Sequence, residues 1–147
     1  MSDLQGIIVN FINDADVETF RISYSKEKDH LYQIDSRRVG KIKIFSSTGF
    51  LGYDEKIIGS KTVLSFNIPS NIYAISYTKY RFIRNTNDIF KYHEYWGVGE
   101  GNLFIVILPP NSVLFNRNEK YKNFKTGDNR LLVEWNTYGD EPVDISY

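Results

Sequence analysis

The run Leu103-Phe104-Ile105-Val106-Ile107-Leu108 is the longest unbroken apolar stretch of the chain, preceded by Gly97, Gly99 and Gly101 and closed by Pro109-Pro110. Six residues is a strand length, and glycine and proline punctuate elements at their ends. An unbroken apolar run, unlike an alternating one, reads as a strand buried on both faces. The rest of the chain is expected to fold around it as a β-sandwich, with a small barrel as the alternative.

Working outward, most other segments alternate with period two. Gly6 to Ile12 is apolar and β-branched and ends at Asn13-Asp14. Val17 to Tyr24 offers two faces, and the set Glu18, Phe20, Ile22 and Tyr24 is the more apolar and hence the expected core face. Val39 to Phe45 and Thr62 to Ile68 alternate as well. Ile72 to Ile83 is the longest alternating segment and could bend or carry a bulge to serve two sheets. Short strands are expected at Leu31 to Ile34, Lys56 to Ile58, Leu131 to Trp135 and Val143 to Tyr147. Ser46 to Tyr53 reads as a loop, Arg84 to Asp88 as a turn, and Asn116 to Asp128 as a long exposed loop. Only Asn85 to Tyr95 has a fragment of helical period. About nine strand candidates with turns every 8–12 residues is the pattern of an all-β sandwich or barrel. Residues 1–147 are expected to form a single β-sandwich domain of two packed, mainly antiparallel sheets.

Composition agrees. Eleven Tyr and ten Phe against one Met favour pleated, half-buried surfaces over helices. Eighteen basic and eighteen acidic side chains cancel. They are also evenly spread: residues 1–80 carry ten basic and nine acidic groups, and residues 81–147 carry eight and nine. A nucleic-acid binder normally shows a basic excess, so nucleic acid is not the expected partner. The small basic region Arg37-Arg38 with Lys41 and Lys43 reads as a solvated strand face. The absence of cysteine removes disulfides, thiol nucleophiles and cysteine-bound metals, and fits a reducing compartment. Met1 to Gly6 lacks the basic start of a signal peptide, and no window is apolar enough to span a membrane. The expectation is a cytoplasmic protein with no transmembrane segment.

Chemistry-bearing motifs are sparse. Gly97-Val98-Gly99-Glu100-Gly101 is followed by a strand, whereas phosphate-binding glycine loops open a helix, so it reads as a turn. His30 and His93 are the only histidines and lack metal-ligand spacing, so no metal, cofactor or catalytic set is assigned. The segment Ile89 to Trp96 is the one stretch to single out. Tyr92, His93, Glu94, Tyr95 and Trp96 put rigid aromatic area next to polar groups, a mix enriched at interfaces. The expected function is a non-catalytic binding or assembly module. It would engage a protein partner or itself, as a homo-oligomer, through this aromatic-rich loop or an exposed strand edge. The alternatives are carbohydrate binding by stacking on Tyr92, Tyr95 and Trp96, and a small hydrolase using His93 and Glu94.

Overall fold

The computed structural model describes residues 6–24, 27–94, 102–114, 122–137 and 143–147. Fourteen strands and no helix occur among them, and the strands form three sheets. Numbered in chain order, eight of them make one large sheet. From edge to edge these are β12 (Lys122–Lys125), β13 (Leu131–Thr137), β11 (Asn102–Ile107), β1 (Gly6–Phe11), β2 (Val17–Tyr24), β8 (Ile72–Lys79), β4 (Val39–Ser46) and β5 (Gly49–Phe50). The other six form two three-stranded sheets. One has the order β14 (Val143–Ser146), β10 (Ile89–Glu94), β9 (Arg84–Thr86); the other is β3 (Asp29–Ile34), β7 (Lys61–Asn67), β6 (Asp54–Ile58). The fold is all-β with packed sheets and no closed barrel, as a β-sandwich requires.

The large sheet carries two separate cores. Ile7, Val9, Phe11, Val106 and Val133 pack under Tyr92, Ile145 and Tyr147 of the β14-β10-β9 sheet and its end. Ile44, Tyr73, Ile75 and Tyr77 pack under Tyr32, Ile34, Leu64 and Phe66 of the β3-β7-β6 sheet. Alternation explains both, since residues two apart on a strand share a face. Strand β2 stands at the boundary between the cores.

All strand pairs are antiparallel except β1 with β11, whose register runs from Gly6 opposite Leu103 to Asn10 opposite Ile107. Parallel neighbours need a crossover of a dozen residues or more. Here everything from β2 to β10 lies between them. The Arg130 guanidinium ties their ends together, its Nη2 donating to the Phe11 carbonyl at 2.7 Å and its Nε to the Leu108 carbonyl at 2.9 Å. The turn after β1 is an Asx turn, in which the Asn13 side-chain oxygen accepts from the amides of Ala15 and Asp16. Asp16 in turn accepts the Arg81 amide at 2.9 Å, and the Ala15 carbonyl accepts the Phe82 amide. These bonds fix the bend where the chain leaves β8 for β9.

Several sequence expectations change. The Leu103–Leu108 run is a strand next to the middle of the sheet, but it is not buried on both faces. Val106 and Leu108 are buried, whereas Ile105 and Ile107 are half-exposed on the outer side. In β2 the buried face is Val17, Thr19, Arg21 and Ser23, not Phe20 and its neighbours. The pairing with β1 decides this: Val17 and Thr19 lie opposite Phe11 and Val9, which are core residues. Ile72 to Ile83 is not one strand serving two sheets: β8 ends at Lys79 in the large sheet, the chain turns at Arg81 (φ 55°), and β9 of a small sheet begins only at Arg84. Asn85 to Glu94 is a hairpin, not a helix, and Asn87 and Asp88 both adopt positive φ (52° and 63°) as a type I′ turn demands. The polar stretch before Asp128 contains edge strand β12, which pairs with β13, and Gly49–Phe50 forms the short strand β5 within the expected Ser46–Tyr53 loop.

Because one sheet serves both cores, damage to either should lower the same transition. Ile7→Ala in the first core and Leu64→Ala in the second are each expected to cost about 2–5 kcal/mol. Denaturant unfolding followed by far-UV circular dichroism and by tryptophan fluorescence checks this, and the two probes should give coincident midpoints in both variants.

Candidate binding site beside a buried ion pair

Strand β8 ends its inward face on Lys79, and β10 ends its inward face on Glu94. Alternation along β8 (Tyr73, Ile75, Tyr77, Lys79) and β10 (Tyr92, Glu94) carries both charges into the interior. Lys79 is fully buried and Glu94 is 5% exposed, and they form an ion pair. The Tyr92 hydroxyl donates to the second Glu94 oxygen at 2.5 Å. The Lys79 ammonium also lies 3.6 Å from the centre of the Phe82 ring, close enough for a cation–π contact. Burial pushes the Lys79 pKa down, and the Glu94 charge and hydrogen bond oppose that shift. Such a pair is strongly coupled to the fold, because neither charge has water to fall back on.

A second polar chain runs beneath the other small sheet. Arg21 approaches the Tyr32 hydroxyl at 3.4 Å, and Tyr32 shares a hydrogen bond with Tyr77 at 3.2 Å. The Tyr73 hydroxyl meets His30 Nε2 at 2.9 Å. Burial pushes the Tyr73 pKa up, so its hydroxyl stays protonated, and the tautomer of His30 sets which of the two donates. Burial, with the Arg21 charge as a second cause, pushes the His30 pKa down.

Next to the ion pair, between the β14-β10-β9 sheet and the loops of the β3-β7-β6 sheet, lies an open cleft of about 740 Å³. Arg37 and Arg38 enter it from the loop after β3, Arg81 from the turn after β8, Arg84 from β9 and Lys91 from β10, with Asp35 as the acidic member of the lining. Tyr80 and Phe82 supply aromatic wall. Arg84 and Lys91 stand directly opposite each other across β9 and β10.

The three described residues of the aromatic segment, Tyr92, His93 and Glu94, separate in the structure. Tyr92 is buried against Phe11 and Phe82 in the first core. Glu94 is buried with Lys79. His93 points the other way along β10, is exposed, and lines the cleft. His93 and Glu94 therefore leave opposite faces of one strand and do not converge on a common reacting atom. Tyr95, Trp96 and the glycines before Leu103 lie outside the described residues. Among the described residues no group of three or more His, Asp or Glu side chains could hold a metal ion, and no helix is long and apolar enough to cross a membrane. Sequence reasoning had noted Arg37 and Arg38 but not their convergence with Arg81, Arg84 and Lys91. Nothing in linear spacing joins residues about 45 positions apart.

Glu94→Gln leaves the Lys79 charge buried without its counter-ion and is expected to cost about 3–5 kcal/mol by urea unfolding. Lys79→Met combined with Glu94→Gln removes that charge and should recover most of the loss. His30 supplies the pH dependence. Its folded pKa lies below the ordinary 6.5, so the unfolded chain takes up the proton first. Stability should be complete above about pH 6.5 and should fall as pH drops below it. Thermal melts of wild type and His30→Phe between pH 8 and 5 check this, and the variant should show the shallower decline (on the order of that three-unit range). No family model and no curated protein matches the chain, so the reading of its function rests on this geometry.

Proposed function

We propose that the chain is a non-catalytic assembly module that pairs with a second copy of itself through the outer face of its large sheet. The observation that carries this reading is that the more apolar face of β2 points away from both cores. Phe20, Ile22 and Tyr24 lie on the outer face beside Ile8, Ile105 and Ile72. Ile8 is 38% exposed, Ile22 41% and Ile72 59%, and farther out Phe124 is 50% and Phe50 73%. Contiguous apolar area of this kind on a sheet marks an interaction surface.

The row of side chains across the middle of that face supports a second copy as the occupant. It reads Lys43, Ser76, Phe20, Ile8, Ile105, Glu134, with Lys122 beyond it at the edge. The row is apolar at its centre, with Lys43 toward one end and Glu134, opposite Lys122 of its own chain, toward the other. A two-fold axis parallel to the strands, between β1 and β2, sets Phe20 of one copy over Ile8 of the other and Lys43 over Glu134. Isologous pairing of this kind satisfies both charges twice. The chain's equal numbers of acidic and basic groups add no net repulsion between copies. An aromatic-rich loop or a strand edge remains a second route for a different protein partner. Tyr92, being core, is not available for stacking on a sugar.

Light scattering after size exclusion, at concentrations up to about a millimolar Kd range, is expected to show a dimer. Lys43→Glu and Glu134→Lys should each weaken it about tenfold or more, and the double reversal should restore it. A wild-type monomer throughout that range sinks the proposal and turns attention to a different occupant of the face.

A further inference from the structure

We propose that the cleft beside the Lys79–Glu94 pair binds a small, multiply charged phosphate ester of about nucleotide size. This site is independent of the outer face used for self-association. Three observations converge on it.

The first is charge. The chain as a whole is neutral, yet Arg37, Arg38, Arg81, Arg84 and Lys91 meet in one cleft whose described lining holds one carboxylate, Asp35. The neighbouring acids are already committed. Glu94 is held by Lys79 and Tyr92. Asp16 accepts hydrogen bonds from the Arg81 amide and the Asn13 side chain, and its charge offsets part of that of Arg81 alone among the five. Among the described residues the ion pair inside the fold is that of Lys79 with Glu94, and none of the five cleft cations joins it.

The second is placement. Arg84 and Lys91 sit directly opposite each other in the β9–β10 register. Like charges in that arrangement repel, and a sheet gains nothing structural from them. A shared anion converts the repulsion into two attractions. Arg81 is likewise held in the left-handed region, at φ 55°, by the hydrogen bond from its amide to Asp16. A long side chain adopts that conformation at some cost, and here the conformation brings Arg81 to the cleft.

The third is shape and chemistry. About 740 Å³ lies in the range of small-molecule sites. Guanidinium groups match phosphate oxygens with paired, charge-assisted hydrogen bonds, and four of the five cations are arginines. Three separate segments contribute them, so they surround a ligand in place of lining one strand. Tyr80 and Phe82 offer rings to the uncharged part of an ester.

The test is calorimetric titration of the full chain with ATP and with inorganic triphosphate, in low and in roughly physiological salt. Both probes are expected to bind, more weakly as salt rises, and Arg84→Ala/Lys91→Ala should lower both affinities at least about tenfold. That variant loses a repulsive pair, so its thermal midpoint without ligand should equal or exceed that of wild type. Arg37→Ala/Arg38→Ala, in the loop, provides a second variant with the same expected loss of binding. Lys28→Ala/Lys56→Ala, outside the cleft, should bind as wild type does. Tighter binding of ATP than of triphosphate, abolished by Tyr80→Ala, assigns the ring contact; equal affinities assign recognition to the phosphates alone. The proposal is overturned by the absence of binding to either probe, or by equal losses in the cleft and control variants. A single-stranded oligonucleotide that binds far more tightly than ATP overturns it as well, in favour of a nucleic-acid groove.

Discussion

The structure depends on one sheet serving two cores. Strands β1, β2 and β8 at its centre hold Ile7, Val9 and Phe11 under one small sheet and Tyr73, Ile75 and Tyr77 under the other. The two covers do not merge into one apolar interior. Between them the interior turns polar, with Thr19, Arg21, Lys79 and Glu94 where a sandwich of two full sheets would place Val or Ile. The ion pair of Lys79 with Glu94 bridges the central sheet and the β14-β10-β9 sheet at that junction. A buried pair of this kind adds little net stability compared with apolar side chains, but it penalises any packing that separates its partners. It thus fixes how β10 sits over β8, and with it the position of the cleft.

That arrangement has a consequence on the opposite side. Because the inward face of β2 is committed to the junction, its polar residues point in and Phe20, Ile22 and Tyr24 point out. The outer face then carries Ile8, Phe20, Ile22 and Ile105 near its centre, with Lys43 and Glu134 farther out on either side of its central row. Interior polarity and exterior apolarity are two results of the same register between β1 and β2. The self-association reading and the fold share this cause. The phosphate-site reading has a different one, the bend at Tyr80 to Ile83 that carries the chain from the large sheet to a small one and brings Arg81 and Arg84 beside the loop of Arg37 and Arg38.

Much of the fold was legible in the residues. The alternation in Val39 to Phe45, Thr62 to Ile68 and Ile72 to Lys79 appears as strands β4, β7 and β8, and the apolar run before Pro109 as β11. The helical fragment at Asn85 to Tyr95 misleads because Ile89 and Tyr92, three apart, would share a helical face, whereas on β10 they take opposite faces; the Asn87-Asp88 turn, able to take positive φ, decides for a hairpin. The candidate site was only partly legible. Tyr92 and Glu94 were singled out as a binding segment, and their aromatic and acidic chemistry is spent in the interior. Of the described three, Tyr92 and the exposed His93 line the cleft, and Glu94 does not.

What the sequence determined by itself was the class: period-two patterning, an excess of aromatic and β-branched residues and closely spaced turns dictate strands, because those properties are local. It also determined that the chain is neutral and free of cysteine chemistry. What only the tertiary structure decided was which face of each strand is inside and which distant segments meet. The two faces of β2 differ by a one-residue shift, and that shift is set by the partner strand β1, not by the apolarity of β2 itself. Arg38 and Arg84 come together only because two small sheets dock side by side on one large one. No pattern within a window of a dozen residues carries that information.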